Sequence, residues 1–242
     1  MSTPPSSSPT TVHLVGIGPG DPLLLTRRAA SHLERADVVV ADRRSAEPAL
    51  ALAPPAAERV YVGLADGEPA WPLGRIVELV EAHARAGRRV VRVKSGDPFV
   101  CSRGGEEADA LRARGLAVEV TPGVTAATAA PLAAGLPLGS SVLVASGDDD
   151  PDAVAVDWAQ LADPAATLVV LTGRAHQGRI ARALIAAGRS PGARATVVRA
   201  ATRPEEAWVH CDLDGLAAAR LAPPAAFVVD PEPDAGGRRA HP

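Results

Sequence analysis

From position 12 onward, short β-branched runs alternate with longer stretches whose apolar residues recur at helical spacing, which restricts the chain to α/β layering around largely parallel sheets. The runs VHLVGI (12–17), ADVVVA (36–41), RVYV (59–62), RRVVRV (88–93) and LAVEV (116–120) are bounded by turn residues and read as strands. Helices are predicted over 23–35, 73–86 and 105–114, the last two stopped by Gly87 and Gly115. After TPGVTAATAAPLAAGLPL (121–138), a helix and then a turn, the alternation restarts. Strands are predicted at 141–146, 166–171, 193–199, 207–211 and 225–230, and helices at 157–162, 177–187 and 213–219. The later strands follow one another closely, so a hairpin and a mixed second sheet are expected. An N-terminal α/β domain (12–137) and a C-terminal α/β domain (138–230) meet near Pro137, and the polar ends 1–11 and 231–242 are expected to be disordered.

A chain of 242 residues, 47% hydrophobic and 22% charged, can bury one or two cores. Its net charge of −3 gives no electrostatic case for nucleic acid or an anionic membrane, and 2% aromatic residues argue against a base-stacking surface. Lys94 is the only lysine, so other permanently basic contacts fall to arginine, whose planar fork suits carboxylates. Cys101 and Cys211 make no disulfide framework, and none of His13, His32, His83, His176, His210 and His241 has a partner at metal-ligand spacing. No metal is therefore expected, and a reducing cytoplasm fits best. The start MSTPPSSSPT lacks the pattern of a secretory signal, and no apolar run reaches the roughly 18 residues of a membrane helix.

Two glycine-bearing loops carry the chemistry. VGIGPGDP (15–22) lies between a strand and a helix, but the last glycine of a dinucleotide fingerprint starting at Gly16 is replaced by Asp21. Asp21 and Pro22 are good helix-start chemistry, while Gly16, Gly18 and Gly20 leave the backbone bare at the carboxyl end of the first strand. SGDPFVCSRGGEE (95–107) is the richer segment. Ser95, Gly96 and Asp97 offer backbone donors and a carboxylate suited to a ligand with an amine and hydroxyls, and a phosphate loop is excluded because GK[ST] is missing. Arg103 precedes Gly104 and Gly105, which argues for close approach of a ligand, and Glu106 and Glu107 suit the first turn of a helix. Asp42 reads as a turn residue, Asp148, Asp149 and Asp150 as a solvated loop, and Cys101 as a small buried side chain. No GxSxG elbow supports a serine hydrolase.

VGIGPGDPLLLTRRAASHLERADVVVADR, SGDPFVCSRGGEE and TPGVTAATAAPLAAGLPL, in this order and spacing, resemble the tetrapyrrole methylase family, in particular its members that methylate uroporphyrinogen III at carbon. The resemblance implies the class III methyltransferase fold: two α/β domains, a parallel first sheet, a mixed second sheet and a cleft between them. It also implies a homodimer, a tetrapyrrole substrate on the way to precorrin-2, and S-adenosylmethionine as methyl donor with no metal. The family's cofactor positions fall on Pro19, Ser95, Gly96, Asp97, Val100, Thr125, Ala126 and Thr172, and its catalytic positions on Arg103, Glu106 and Asp42. The substrate side departs from the family. YVGLADGEPAWPLGRI (61–76) lacks the usual lysine, histidine, glutamine and Ile-Asn pair, and Gly139, Ser140 and Ser141 stand where Thr-His-Arg is usual. Methylation of another substrate, or a non-catalytic cofactor- or tetrapyrrole-binding paralogue, therefore stays open beside methylation of uroporphyrinogen III.

Overall fold

The computed structural model describes residues 11–43, 46–63, 71–147, 157–172, 176–219 and 225–232. The chain divides into two compact units, one ending at Thr125 and the other beginning at Ala126.

In the first unit, β1 (Val12–Gly16), β2 (Val38–Ala41), β3 (Glu58–Tyr61), β4 (Val90–Lys94) and β5 (Val118–Thr121) form one sheet in the order β3-β2-β4-β1-β5. Every pairing in it is parallel. β2 and β4 are buried along their whole length, as expected of strands covered on both faces. Helices α1 (Arg27–Leu33) and α2 (Glu47–Leu50) bury Ala29, Leu33, Ala49 and Leu50 against Val15, Val39, Val91 and Val93. Helices α3 (Leu73–Arg85) and α4 (Gly104–Ala113) contribute Ile76, Val77, Val80 and Leu111 to a second cluster with Val12, Val38, Val40 and Val90. Each fully buried Val or Leu of these layers contributes about 1.5–3 kcal/mol of transfer free energy.

In the second unit, β6 (Val142–Ser146), β7 (Thr167–Leu171), β8 (Arg194–Arg199), β9 (Ala207–Asp212) and β10 (Ala225–Val229) follow the order β6-β7-β10-β8-β9. β6 and β7 are parallel and the other pairings antiparallel, with β8 and β9 as the expected hairpin. Helices α5 (Ala126–Ala133), α6 (Trp158–Leu161) and α7 (Gln177–Ala186) accompany this sheet. α5 packs on β7, β8 and β10, so the division falls at Thr125 rather than near Pro137. Its apolar residues Ala127, Ala129 and Ala130 are buried with the second sheet.

Other differences from the sequence expectations are local. The helix expected over 23–35 is broken: Asp21 caps a 3₁₀ turn (Pro22–Leu24), and Thr26 then caps α1 by accepting from the Ala29 N–H. The helix expected at 213–219 is a 3₁₀ turn, Asp214–Ala218. Pro231 and Glu232, assigned to the tail, belong to the ordered structure, and Glu232 accepts from the Ser190 N–H at 2.9 Å through its side chain. Cys101 is exposed rather than buried. His13 and His32, far from metal spacing in the sequence, stack with ring centroids 4.0 Å apart. Positions 1–10, 64–70, 148–150 and 233–242 lie outside the described residues, and the expectations for them with it. No helix among the described residues is long and apolar enough to cross a membrane.

Candidate active site

β1 and β4 are neighbours, yet the connections after them lead to helices on opposite faces, α1 and α4. This is the switch point at which open α/β sheets bind ligands. The loops that follow the two strands meet there. Gly18 and Gly96 form a backbone bridge, donating to each other's carbonyls at 3.2 and 2.8 Å. The loop after β5 joins them: a Cβ on Gly123 would lie 2.2 Å from the Gly96 oxygen, and one on Gly16 would lie 2.6 Å from both the Gly96 oxygen and the Gly123 nitrogen. Gly16 and Gly123 are therefore glycines because three loops close on one another, a reason the strand–loop pattern alone does not reveal, and Gly96 has a left-handed backbone, φ 67°.

Asp97 holds this junction. Its Oδ1 accepts from the Phe99 N–H at 2.8 Å and its Oδ2 from the Gly123 N–H at 3.1 Å. The carboxylate read from the sequence as a ligand partner is thus engaged first in joining two loops. Pro19 and Val100 are half-buried in the same loops, Ser95 is exposed just past β4, and Thr125 closes the first unit. Ala126 opens α5 and Thr172 follows β7, both in the second unit.

Arg103 occupies the left-handed region, with φ 57°, at the N-cap of α4, and provides no side-chain cap there. Holding a side chain in that conformation costs about 1–2 kcal/mol, which glycine would avoid. Cys101 (φ 50°) and Thr172 (φ 64°) are held similarly, and such strain clusters at functional sites. The Arg103 guanidinium pairs with Glu106, with Nη2 2.7 Å from Oε2, and holds that carboxyl below the usual carboxylate range. Both side chains are more than half exposed, so the pair presents charge to solvent rather than stabilising the fold. Of the two glycines beside Arg103, Gly104 has an internal cause, since a Cβ there would meet the Pro98 oxygen at 2.2 Å; at Gly105 nothing lies within 4 Å.

Asp42 is more than a turn residue. It sits at the edge of a buried quartet with Arg92, Lys94 and Glu107, accepting from Arg92 and lying 3.2 Å from Lys94 Nζ. Glu107 accepts from Arg92 Nε at 2.7 Å, Arg92 Nη2 at 3.0 Å and Lys94 Nζ at 2.7 Å. Two cations and two anions compensate one another in a site that tolerates no bare charge. Burial pushes the Asp42 carboxyl up, but Arg92 and Lys94 outweigh it and hold it below the usual range. Asp42 therefore stays an anion at neutral pH with part of its surface open, 30% by side chain. The sequence reading passed over Arg92, noted Lys94 only as the one lysine and took Glu107 for a first-turn carboxylate, although RVVRVK puts Arg92 and Lys94 on one face of a strand otherwise buried on both.

Comparison with known proteins agrees with this architecture. The family described as Tetrapyrrole (Corrin/Porphyrin) Methylases matches residues 11–217. The chain is 40% identical to siroheme synthase of Chromobacterium violaceum over 227 residues, covering 90% of this chain and 48% of that protein. It is 42% identical to siroheme synthase of Pseudomonas aeruginosa, covering 85% and 45%. The chain thus spans about half the length of these curated relatives. Among solved structures it resembles uroporphyrin III C-methyl transferase from Thermus thermophilus, native and complexed with S-adenyl homocysteine, each at 40% identity and TM-score 0.77, covering 90% of this chain and 96% of the other. It also resembles cobalt precorrin-4 methyltransferase at 27% identity and TM-score 0.78, covering 90% and 94%. The chain belongs to the tetrapyrrole methylase family of methyltransferases and has its class III fold.

Proposed function

We propose that the protein transfers methyl groups from S-adenosylmethionine to pyrrole carbons of uroporphyrinogen III, on the route to precorrin-2. The observation that carries this is the likeness, across nearly the whole of both chains, to a uroporphyrin III C-methyl transferase whose structure is also known with S-adenyl homocysteine. The loops fit such a cofactor: they stand at the switch point of a parallel sheet, and the Ser95 side chain is exposed beside them, although Gly16, Gly18 and Gly96, read from the sequence as open backbone, are buried against one another. Pro19, Ser95, Gly96, Asp97, Val100 and Thr125 are the residues of the first unit that would hold it, with Ala126 and Thr172 assigned by the same resemblance. When bound, the cofactor supplies an electrophilic methyl group, so the protein's share of catalysis is orientation and proton management.

Arg103 has a permanent charge and a planar fork suited to the carboxylates of a uroporphyrinogen, and Glu106 fixes the direction of that fork. An arginine is a poor proton acceptor. Asp42 is an anionic group that can accept an N–H from the macrocycle, and Arg92 and Lys94 keep it ionised. A homodimer in the cytoplasm completes the reading.

The test is an anaerobic incubation with enzymatically generated uroporphyrinogen III and labelled S-adenosylmethionine, following label into the tetrapyrrole by mass, with calorimetry of cofactor binding alongside. Two added methyl groups are expected. Asp42→Asn is expected to keep cofactor affinity and lose most turnover. Cofactor binding without transfer would redirect the assignment to another substrate, a reading favoured by Gly139, Ser140 and Ser141 standing where the family carries larger polar groups.

A further inference from the structure

Near the start of β1, away from the glycine loops that follow its end, three potential ligands converge. His13 and Glu119 are register partners on the adjacent parallel strands β1 and β5, and His32 lies in the last turn of α1. The two imidazoles stack at 4.0 Å with 26° between their planes. His13 Nδ1 is 3.3 Å from Glu119 Oε2, and His32 Nε2 is 3.7 Å from Glu119 Oε1. One ligand atom from each residue can be chosen so that all lie within 4.8 Å of one another.

A tetrahedral ion with ligands at about 2.0–2.1 Å sets neighbouring ligand atoms about 3.3–3.4 Å apart; the Glu119 contacts at 3.3 and 3.7 Å are already near this, while the stacked imidazoles must turn to aim both nitrogens at one ion. A second observation points the same way. His13 Nδ1 and His32 Nε2 are both buried, and neither meets hydrogen-bond geometry with the Glu119 oxygens 3.3 and 3.7 Å away. Buried polar atoms are rarely left so without a partner.

We propose that His13, His32 and Glu119 bind one divalent transition-metal ion of the zinc class, with His13 Nδ1, His32 Nε2 and a Glu119 oxygen as ligands and water completing the shell. The ion ties α1 to β1 and β5 and takes no part in methyl transfer. Two imidazoles and one carboxylate suit zinc or cobalt better than calcium or magnesium, which favour all-oxygen shells. Arg28, two-thirds exposed and 3.3 Å from Glu119 Oε1, is the cation the metal must compete with.

The test uses the full chain, stripped with a chelator and then titrated with Zn²⁺ by calorimetry and with Co²⁺ by visible absorption. One equivalent should bind, with the d–d bands of a low-coordinate Co²⁺ site and a rise in thermal midpoint. His32→Gln and Glu119→Gln should each weaken binding by more than the roughly 10–100-fold that loss of an outer-shell partner costs. His210→Gln, on β9, should leave binding unchanged. Arg28→Gln alters no ligand and keeps the site assessable should the ligand variants unfold; it should tighten binding. The proposal is overturned by the absence of stoichiometric binding, by binding that survives both ligand substitutions, or by weaker binding in Arg28→Gln.

Discussion

Arg92 on β4 and Glu107 on α4 form a bidentate ion pair, Nε to Oε2 at 2.7 Å and Nη2 to Oε1 at 3.0 Å, with the arginine fully buried and the glutamate only 5% exposed. Lys94 and Asp42 complete a neutral quartet, so removing one charge strands its opposite in a low-dielectric site. Glu107→Gln leaves Arg92 and Lys94 to share Asp42 as the remaining anion of the quartet and should cost about 3–5 kcal/mol, measured by urea denaturation. The double variant Arg92→Met/Glu107→Leu keeps Lys94 beside Asp42 and should lose less than the sum of the single changes. Strict additivity would show that the pair is not coupled.

Arg103 separates stability from activity. Its backbone lies in the left-handed region and its side chain is largely exposed, so Arg103→Gly removes a conformational cost while giving up a solvent-screened pair with Glu106. The variant should be as stable as the parent, or more so by up to about 1 kcal/mol, and should lose turnover while retaining cofactor binding. Unchanged turnover would remove Arg103 from the proposed mechanism.

Both sheets were legible in the sequence because β-branched runs bounded by turn residues are a local signal, and the close succession of the last strands announced the mixed sheet. The break at Leu25 was hidden because LLLT continues a helical apolar pattern, whereas Thr26 caps a new helix by taking the Ala29 N–H. The division at Thr125 was hidden because an alanine-rich helix can pack against either sheet. Among the candidate site residues, Arg103 stood out beside its glycines, whereas Glu107 looked like any carboxylate in a first helical turn. Its burial depends on Arg92 and Lys94 arriving from a distant strand, and no local pattern encodes that meeting.

The glycines around the candidate site make a paired test. Gly123→Ala would drive a Cβ to 2.2 Å from the Gly96 oxygen, where neither backbone can yield without parting the loops. It should lower stability by more than the roughly 1–3 kcal/mol typical of overpacking and should abolish cofactor binding. Gly105→Ala meets nothing within 4 Å and lies inside α4. On fold grounds alone it should be neutral or stabilising by up to about 1 kcal/mol. A stable Gly105→Ala protein with weakened substrate affinity would show that the bare backbone beside Arg103 serves a ligand, and unchanged affinity would show that it does not.

Asp37 and Arg89 clamp β2 to β4 at the start of both strands. The Asp37 carboxylate accepts from the Arg89 backbone N–H at 2.8 Å and from its Nε and Nη2 at 3.1 and 2.9 Å, while the Asp37 N–H donates to the Arg89 carbonyl at 3.0 Å. The side-chain hydrogen bonds from Arg89, and then the backbone one, lower the Asp37 carboxyl from 3.8 to about 2. Because the folded-state value is the lower one, the clamp's contribution is fully present above the unfolded value and is lost as pH falls through about 2. A carboxyl-carbon NMR titration should place the Asp37 midpoint near 2. In Arg89→Gln the midpoint should rise, though not all the way to the ordinary value, because the backbone N–H at position 89 is retained. An unmoved midpoint would show that the guanidinium does not hold this carboxylate. In Asp37→Asn the loss of stability on acidification below the unfolded value should be shallower than in the parent, since one proton-binding difference between the folded and unfolded states has been removed.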